Sequence, residues 1–173
     1  DYNSWGVDNA GDWSFHDGDK GVTYGYFDDQ GLYYDNEKTP FAYIVWTPAN
    51  YGGEDITVAN PTAKPYSGSN AMASVYSYNR KATGELTPLA ADNWMISPEL
   101  TGKAQTVMFR VNNISASNPE TYQVLYSTTT AAHDQFQLLE EKTVRNSKRD
   151  EGSFLFPAGA PNFTIRHNNN LDV

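Results

Sequence analysis

Turn-forming residues interrupt this chain so often that they limit the length of any regular element. Glycine, proline, asparagine, serine and threonine recur before an amphipathic stretch of a dozen residues can form, and these residues mark turns and loops. Short β-strands fit between the interruptions, whereas helices of ordinary length do not. The sequence therefore predicts an all-β fold.

Alternation of apolar and polar side chains locates the strands. Residues 105–111 (QTVMFRV) and 121–127 (TYQVLYS) place every second side chain on one face, as half-buried antiparallel strands do. Further candidate strands are 42–47, 71–78, 93–97, 136–144, 153–156 and 163–166. Eight prolines lie at or outside these limits, because proline cannot donate to a strand ladder. This pattern is typical of a β-sandwich or barrel, and since no linker divides residues 1–173 we expect one domain.

Charge and cysteine content exclude several classes of partner and chemistry. The formal net charge of −9 opposes binding to nucleic acid or to an anionic membrane. The absence of cysteine excludes disulfides, thiolate zinc sites and a cysteine nucleophile, and favours a bacterial secreted protein over a small eukaryotic one. No apolar run approaches the ~20 residues of a membrane span. Because the chain starts at Asp1 without a leader, we expect a mature or excised piece of a larger secreted protein.

Motifs for catalysis are absent from the sequence. It contains no HExxH, GxxxxGK[ST], GxGxxG or GxSxG pattern. A serine triad could still assemble around His16, His133 or His167, and two of the 21 acidic residues could pair as in glycosidases. The spacing of the three histidines gives no zinc or copper motif. The sequence favours a non-catalytic protein, with a small glycoside hydrolase or esterase as an alternative.

Two segments rich in aspartate and glycine suggest a structural calcium ion. Asp8 and Asp12 lie in one segment, and Asp17 and Asp19 lie in the next. Short oxygen ligands and glycine turns suit a hard cation, although neither segment completes an EF-hand loop. The alternative is that these aspartates form ordinary turns.

Aromatic side chains provide the candidate ligand contacts. The chain carries 4 Trp, 12 Tyr and 8 Phe, most of which must form the core. The long loop at 48–70 holds Tyr51 and Tyr66, and ordered loops on sandwiches often bind ligands. We expect these two tyrosines to contact a ligand, while an early cluster (Tyr24, Tyr26, Phe27, Tyr33 and Tyr34) joins the core or a partner surface. The loop could equally be a simple crossover between sheets.

One stretch of the sequence is specific enough to suggest a family. Residues 92–102 read DNWMISPELTG, which resembles the D-N-W-L-I-S-P-E-L motif of the cleaved-adhesin and choice-of-anchor J domains of Bacteroidetes surface proteins. Other pieces match in order: Trp5 to Trp13 is similar to the W-x-x-D-x-D-G-D-x-x-W opening, 67–71 to the SGS-N-A stretch, 122–128 to Y-x-V-x-Y-S-T-T, and 163–167 to I-A-F-R-H.

The resemblance implies an all-β, two-sheet antiparallel sandwich with a jelly-roll topology like that of MAM domains. It also implies a non-catalytic adhesin module of a secreted or surface-anchored protein, whose ligand is a glycan or a host or matrix protein. A structural spacer domain is the alternative within such a protein. Two departures bear on this. Ala10 replaces an acid of the opening motif, which removes one calcium ligand. The family usually has a final I-D-D-I strand, whereas this sequence has Leu171 to Val173, so that strand is either missing or replaced by this short run.

Overall fold

The computed structural model describes residues 4–24, 33–114, 118–145 and 150–169. Within these ranges the chain forms twelve strands and three short 3-10 turns, and the expectation of an all-β fold is confirmed. The strands are β1 (Ser14–Asp17), β2 (Val22–Thr23), β3 (Ile44–Trp46), β4 (Ala71–Ala73), β5 (Ser77–Arg80), β6 (Leu86–Pro88), β7 (Asn93–Ile96), β8 (Gln105–Val111), β9 (Glu120–Ser127), β10 (Gln137–Val144), β11 (Asp150–Phe156) and β12 (Asn162–His167). The 3-10 turns are Pro48–Asn50, Pro61–Ala63 and His133–Gln135.

The largest sheet has five antiparallel strands in the order β1-β7-β12-β9-β10. The β8–β11 pair forms a second sheet that faces it. Side chains from both sheets meet in one core, with Tyr122, Val124 and Phe163 on the large sheet and Phe154 and Phe156 on the small one. The two-sheet antiparallel sandwich that the sequence predicts is therefore present.

Strict alternation explains why β11 takes its place over the core. Its buried positions are Gly152, Phe154 and Phe156, and the residues between them are exposed. Phe109 of β8 stacks on Phe154 with ring centroids 5.1 Å apart. Because side chains of a strand point alternately to opposite faces, the same alternation leaves Met108 and Leu155 on the outer face.

The opposite face of the large sheet carries a smaller apolar cluster. Trp94 and Ile96 of β7 are buried with Leu125 under Phe136, which lies in the connection from β9 to β10. Trp94 is buried, but it lies outside the sandwich core. Its Nε1 donates to Asp92, and the Arg166 guanidinium lies 4.6 Å from the Trp94 ring centroid while donating to the same carboxylate.

The remaining strands form two small sheets, β3–β4 and β2–β5–β6. The predicted strand at 71–78 is two strands, β4 and β5, separated by residues 74–76. The sequence does not predict three short strands, β1, β2 and β6. Pro88 ends β6, which is an edge strand of its sheet, and a missing N–H is tolerated there.

The edges of the five-stranded sheet are β1 and β10. A β-bulge interrupts β10 between Leu138 and Glu140, and charged side chains follow it at Glu140, Glu141 and Lys142. Tyr26, Phe27 and the predicted terminal run Leu171 to Val173 lie outside the described residues. In the described ranges, no helix has the length and apolar character needed to cross a membrane.

Candidate functional site

Five aromatic rings converge beside the 3-10 turn Pro48–Asn50. Tyr51, which directly follows this turn, has its ring centroid within 6.0 Å of the centroids of four others: Trp5, Tyr33, Tyr34 and Trp46. Trp5 stacks on Tyr34 at 4.8 Å and meets Trp46 edge-on at 5.2 Å. Tyr51, predicted as a ligand contact, therefore sits half-buried at the centre of an aromatic cluster.

The backbone at and near this cluster is strained, and hydrogen bonds stabilise it. Trp5, Asn36 and Lys38 have φ values of 58°, 65° and 64°, in the left-handed region that costs a non-glycine residue about 1–2 kcal/mol. The Asn36 side chain donates to the Trp5 carbonyl at 2.9 Å, and the Trp5 indole N–H donates to the Asn50 carbonyl at 3.1 Å. Because such strain collects at functional sites, Trp5 and its partner Asn36 mark this region as a candidate site.

A cleft of about 380 Å³ opens beside the cluster. The described residues that line it are Trp5, Tyr33, Tyr34, Asp35, Asn50, Gly52 and Gly53. Trp5 and Tyr34 are nearly fully buried, so Tyr33, which is half-buried, is the lining ring with the larger accessible surface. Asp35 and Asn50 are exposed and add a carboxylate and an amide. The cleft thus combines an aromatic wall with polar groups.

One of the two lining glycines allows the backbone to approach Tyr33. Gly52 has a φ of +62°, and a Cβ there would lie 2.8 Å from Cδ1 of the Tyr33 ring. Its N–H donates to the Tyr33 carbonyl. Gly53 also has a positive φ, of +83°, but a Cβ at Gly53 would meet no described atom within 4 Å. Gly52 therefore fits against the aromatic wall, whereas Gly53 faces open space.

A buried carboxylate lies behind the wall. Glu37 is 2% exposed, and its Oε2 accepts from the Tyr33 N–H at 2.7 Å, while Oε1 makes no hydrogen bond with the described chain. Burial raises the pKa of the Tyr34 hydroxyl, and the nearby negative charge of Glu37 raises it further. Tyr34 therefore stays a neutral hydrogen-bond donor, and it donates to the Tyr24 carbonyl at 2.8 Å.

Tyr66, the second predicted ligand contact, belongs to a different surface. It is 56% exposed, and the Arg110 guanidinium of β8 lies 3.5 Å from its ring centroid. Arg110 also pairs with Glu151 across the β8–β11 sheet at 3.3 Å. Met108 and Leu155, exposed by 62% and 68%, lie on the outer face of the same sheet. Tyr66 is absent from the lining of the cleft and instead borders this outer face.

The four aspartates predicted to bind calcium are partly engaged with the chain. Asp8 accepts from the Ala42 and Tyr43 N–H groups, and Asp17 accepts from that of Lys20. Asp19 accepts from Gly21, Ser77 and Asp92, and Asp12 is exposed. In the described ranges, no three His, Asp or Glu side chains are placed to hold a metal ion. Calcium remains a prediction, and binding at these residues would require side chains to reorient.

Three of these aspartates nevertheless lie near one another. Burial raises the pKa of Asp17, and the negative charges of Asp19 and Asp8 raise it further. The pKa of Asp8 is also raised by burial, although two N–H donors oppose the shift. Three of the four aspartates therefore lie close enough for repulsion between them to be felt.

One histidine does form the serine contact that a hydrolase would need. His167 Nδ1 lies 2.8 Å from Ser74 Oγ, and its Nε2 lies 2.8 Å from Glu120 Oε2. Asn93 donates to the same Ser74 oxygen at 3.0 Å. Neither the aromatic cleft nor a second concavity of about 260 Å³, at the ends of β9 and β10, is lined by Ser74 or His167. This hydrogen-bonded chain ties β12, β9 and β7 to the end of β4.

The other two histidines stack on each other. His16 of β1 and His133 of the 3-10 turn have ring centroids 3.9 Å apart and planes inclined by 11°. Burial lowers the pKa of His16, and the positive charge that His133 can carry lowers it further. This pair holds the β9–β10 connection against the outer face of the large sheet.

Sequence reasoning missed the polar residues of the cleft. Asp35 and Asn50 belong to no motif, and Tyr33 appears in the sequence only as one member of an early aromatic cluster. The available signal was the pair of glycines at positions 52 and 53 directly after Tyr51. Such a pair permits the positive φ values that bring a backbone close to a ring.

Comparison with known proteins finds one matching family model and several similar solved structures. The family model described as the Cleaved Adhesin Domain matches residues 41–164, whereas no sequence among curated proteins matches. Solved structures match over most of the chain. The K2 cleaved adhesin domain of Lys-gingipain aligns with a TM-score of 0.60 and 19% identity, covering 97% of this chain and 86% of that one.

Two further domains of the same protease from Porphyromonas gingivalis W83 give similar values. The K3 domain has a TM-score of 0.60 and 20% identity over 93% of this chain and 82% of that one. The K1 domain has a TM-score of 0.57 and 18% identity over 92% and 82%. At these identities the structural matches support the fold, and the family model covers more than half of the sequence. The chain belongs to the cleaved adhesin domain family, which makes it an adhesin-like module of a surface protein.

Proposed function

We propose that this module binds an extracellular glycan in the aromatic cleft. The observation that carries the proposal is the lining, which brings Tyr33 together with the polar residues Asp35 and Asn50. Sugar rings pack on aromatic faces, and their hydroxyls bond to carboxylates and amides. Ligand pockets in general combine aromatic walls with a few placed polar groups.

The strained backbone supports the same location. Trp5, which lines the cleft, has a positive φ. Its strain is offset by stacking on Tyr34 and by hydrogen bonds with Asn36 and Asn50. A preformed cleft binds without the entropic cost of ordering its walls. This favours a site over an incidental groove between loops.

The test compares two tyrosine variants on a glycan array and by calorimetry. Tyr33→Ala removes the accessible ring of the cleft and is expected to abolish binding of any glycan that the wild type retains. Tyr66→Ala, the matched control, removes an exposed tyrosine of another surface and should leave binding unchanged. Loss of binding in Tyr66→Ala alone would contradict the proposal and move the contact to the loop beside β8.

A protein partner is the second candidate, and it has its own surface. Tyr66, Arg110, Met108 and Leu155 lie on or beside the outer face of the β8–β11 sheet. Tyrosine, arginine and methionine are enriched in protein interfaces. Binding of an extracellular matrix protein that Met108→Glu abolishes and Asp35→Asn preserves would favour this alternative.

The module is proposed to act without catalysis. His167 and Ser74 are in contact, but they lie outside both described concavities. Incubation with a fluorophosphonate probe is therefore expected to leave Ser74 unlabelled. Covalent labelling that Ser74→Ala removes would overturn this expectation and support an esterase.

A further inference from the structure

Of the described residues that line the aromatic cleft, Asp35 alone carries a charge. Asp35 is also an exposed residue. A ligand group that enters the cleft therefore meets one fixed negative charge and no lining cation in the described chain. The sign of that charge restricts the chemistry of the ligand.

Two further observations extend the negative field. Glu54 follows the lining glycines and bridges back to Tyr51. The chain as a whole carries a net charge of −9. All of these contributions act in one direction on a charged ligand.

We infer that Asp35 selects the ligand by charge, so that the cleft accepts uncharged saccharides and rejects those bearing a carboxylate or sulfate. This inference rests on the proposed glycan-binding function of the same cleft. An acidic sugar placed against Asp35 meets a like charge at close range. Even at the dielectric constant of water, two unit charges about 4 Å apart weaken binding by about fivefold.

A neutral saccharide can form hydrogen bonds with the Asp35 carboxylate. An ionised carboxylate accepts hydrogen bonds only, and a neutral sugar offers several hydroxyl donors. The Asn50 amide can donate as well as accept. Asp35 thus contributes hydrogen bonding to a neutral sugar and repulsion to an acidic one, and specificity arises from the difference between the two.

The experiment uses matched saccharides and matched variants of the full chain. Neutral lactose-type oligosaccharides and their sialylated counterparts are printed on one array, followed by titration calorimetry in low salt. Asp35→Asn removes the charge and keeps the shape of the side chain. Asp134→Asn, on the 3-10 turn over the large sheet, is the control, because it changes the net charge equally at an exposed residue outside the lining.

Wild type is expected to bind the neutral member of a pair at least about fivefold more tightly than the acidic member. Asp35→Asn should reduce this ratio toward one, and Asp134→Asn should leave it unchanged. Raising the salt concentration should shrink the ratio in wild type, because salt screens exposed charges.

The outcomes separate the two claims. Equal or tighter binding of acidic saccharides by wild type would overturn the charge selection and leave glycan binding intact. An unchanged ratio in Asp35→Asn would overturn the assignment to this residue. Binding of no saccharide would overturn the proposed function and the charge selection together.

Discussion

Replacing Gly52 with alanine tests the packing of the aromatic cleft, and Gly53→Ala is its neighbouring control. Both residues have positive φ, at +62° and +83°. Alanine pays the left-handed backbone penalty of about 1–2 kcal/mol at either position. The backbone cost is therefore the same in both variants. The difference between their unfolding free energies reports on the contacts of the new methyl group.

The methyl group meets different surroundings at the two positions. At Gly52 it would lie 2.8 Å from Cδ1 of Tyr33, closer than van der Waals contact, whereas at Gly53 it meets no described atom within 4 Å. Overpacking of this kind costs about 1–3 kcal/mol, and the half-buried Tyr33 ring can shift, which places the cost near the lower end. We expect Gly52→Ala to lose about 2–4 kcal/mol of unfolding free energy and Gly53→Ala about 1–2 kcal/mol.

Equilibrium unfolding in urea measures both values. Tryptophan fluorescence reports on the cluster directly, because Trp5 and Trp46 belong to it. The near-ultraviolet circular dichroism of Gly52→Ala should also change, because rings that shift alter their coupling, while that of Gly53→Ala should match wild type. Equal destabilisation by the two substitutions, with unchanged dichroism in both, would refute the described fit of Gly52 against Tyr33.

Three other predictions concern stability. Trp94→Ala should lower the unfolding free energy by about 3 kcal/mol, because it empties a buried site; a urea midpoint equal to that of wild type would contradict this burial. Burial in the folded protein lowers the pKa of His16 from its ordinary value of 6.5. The stability that the neutral imidazole contributes is therefore present above pH 6.5 and is lost as the pH falls through the folded pKa. His133→Gln should make the decline between pH 7 and 5 shallower, and an unchanged slope would argue against coupling. Adding calcium to chelated protein should raise the melting temperature if the ion relieves repulsion around Asp17, and Asp17→Asn should remove that rise; the absence of any rise in wild type would assign these aspartates to turns.

Local periodicity in the sequence is sufficient to predict the long strands. β8 and β9 match their predicted limits to within one residue, because alternation over seven or eight residues is visible in the sequence itself. β2 and β6, with two and three residues, carry no such signal, and they exist through pairing with β5. Short strands that depend on distant partners cannot be recognised from local pattern.

The candidate site depends on distant contacts even more strongly. Trp5 and Asn50 are 45 positions apart and meet through one hydrogen bond, and Ser74 and His167 are 93 positions apart. No spacing rule connects such pairs. The sequence predicts Tyr51 and Tyr66 as ligand contacts from one loop, but the structure places the first in a ring cluster and the second against Arg110. Whether either contacts a ligand stays a prediction.

The bulged and charged edge of β10 has a consequence for the assembly of longer proteins. Modules joined by short flexible linkers within one polypeptide meet at effective concentrations on the order of millimolar. An open strand edge at such concentrations invites pairing between neighbours and misfolding. The β10 edge opposes that pairing, because it carries a bulge between Leu138 and Glu140 and the charged side chains of Glu140, Glu141 and Lys142. Association of the folded module through the β10 edge is therefore disfavoured.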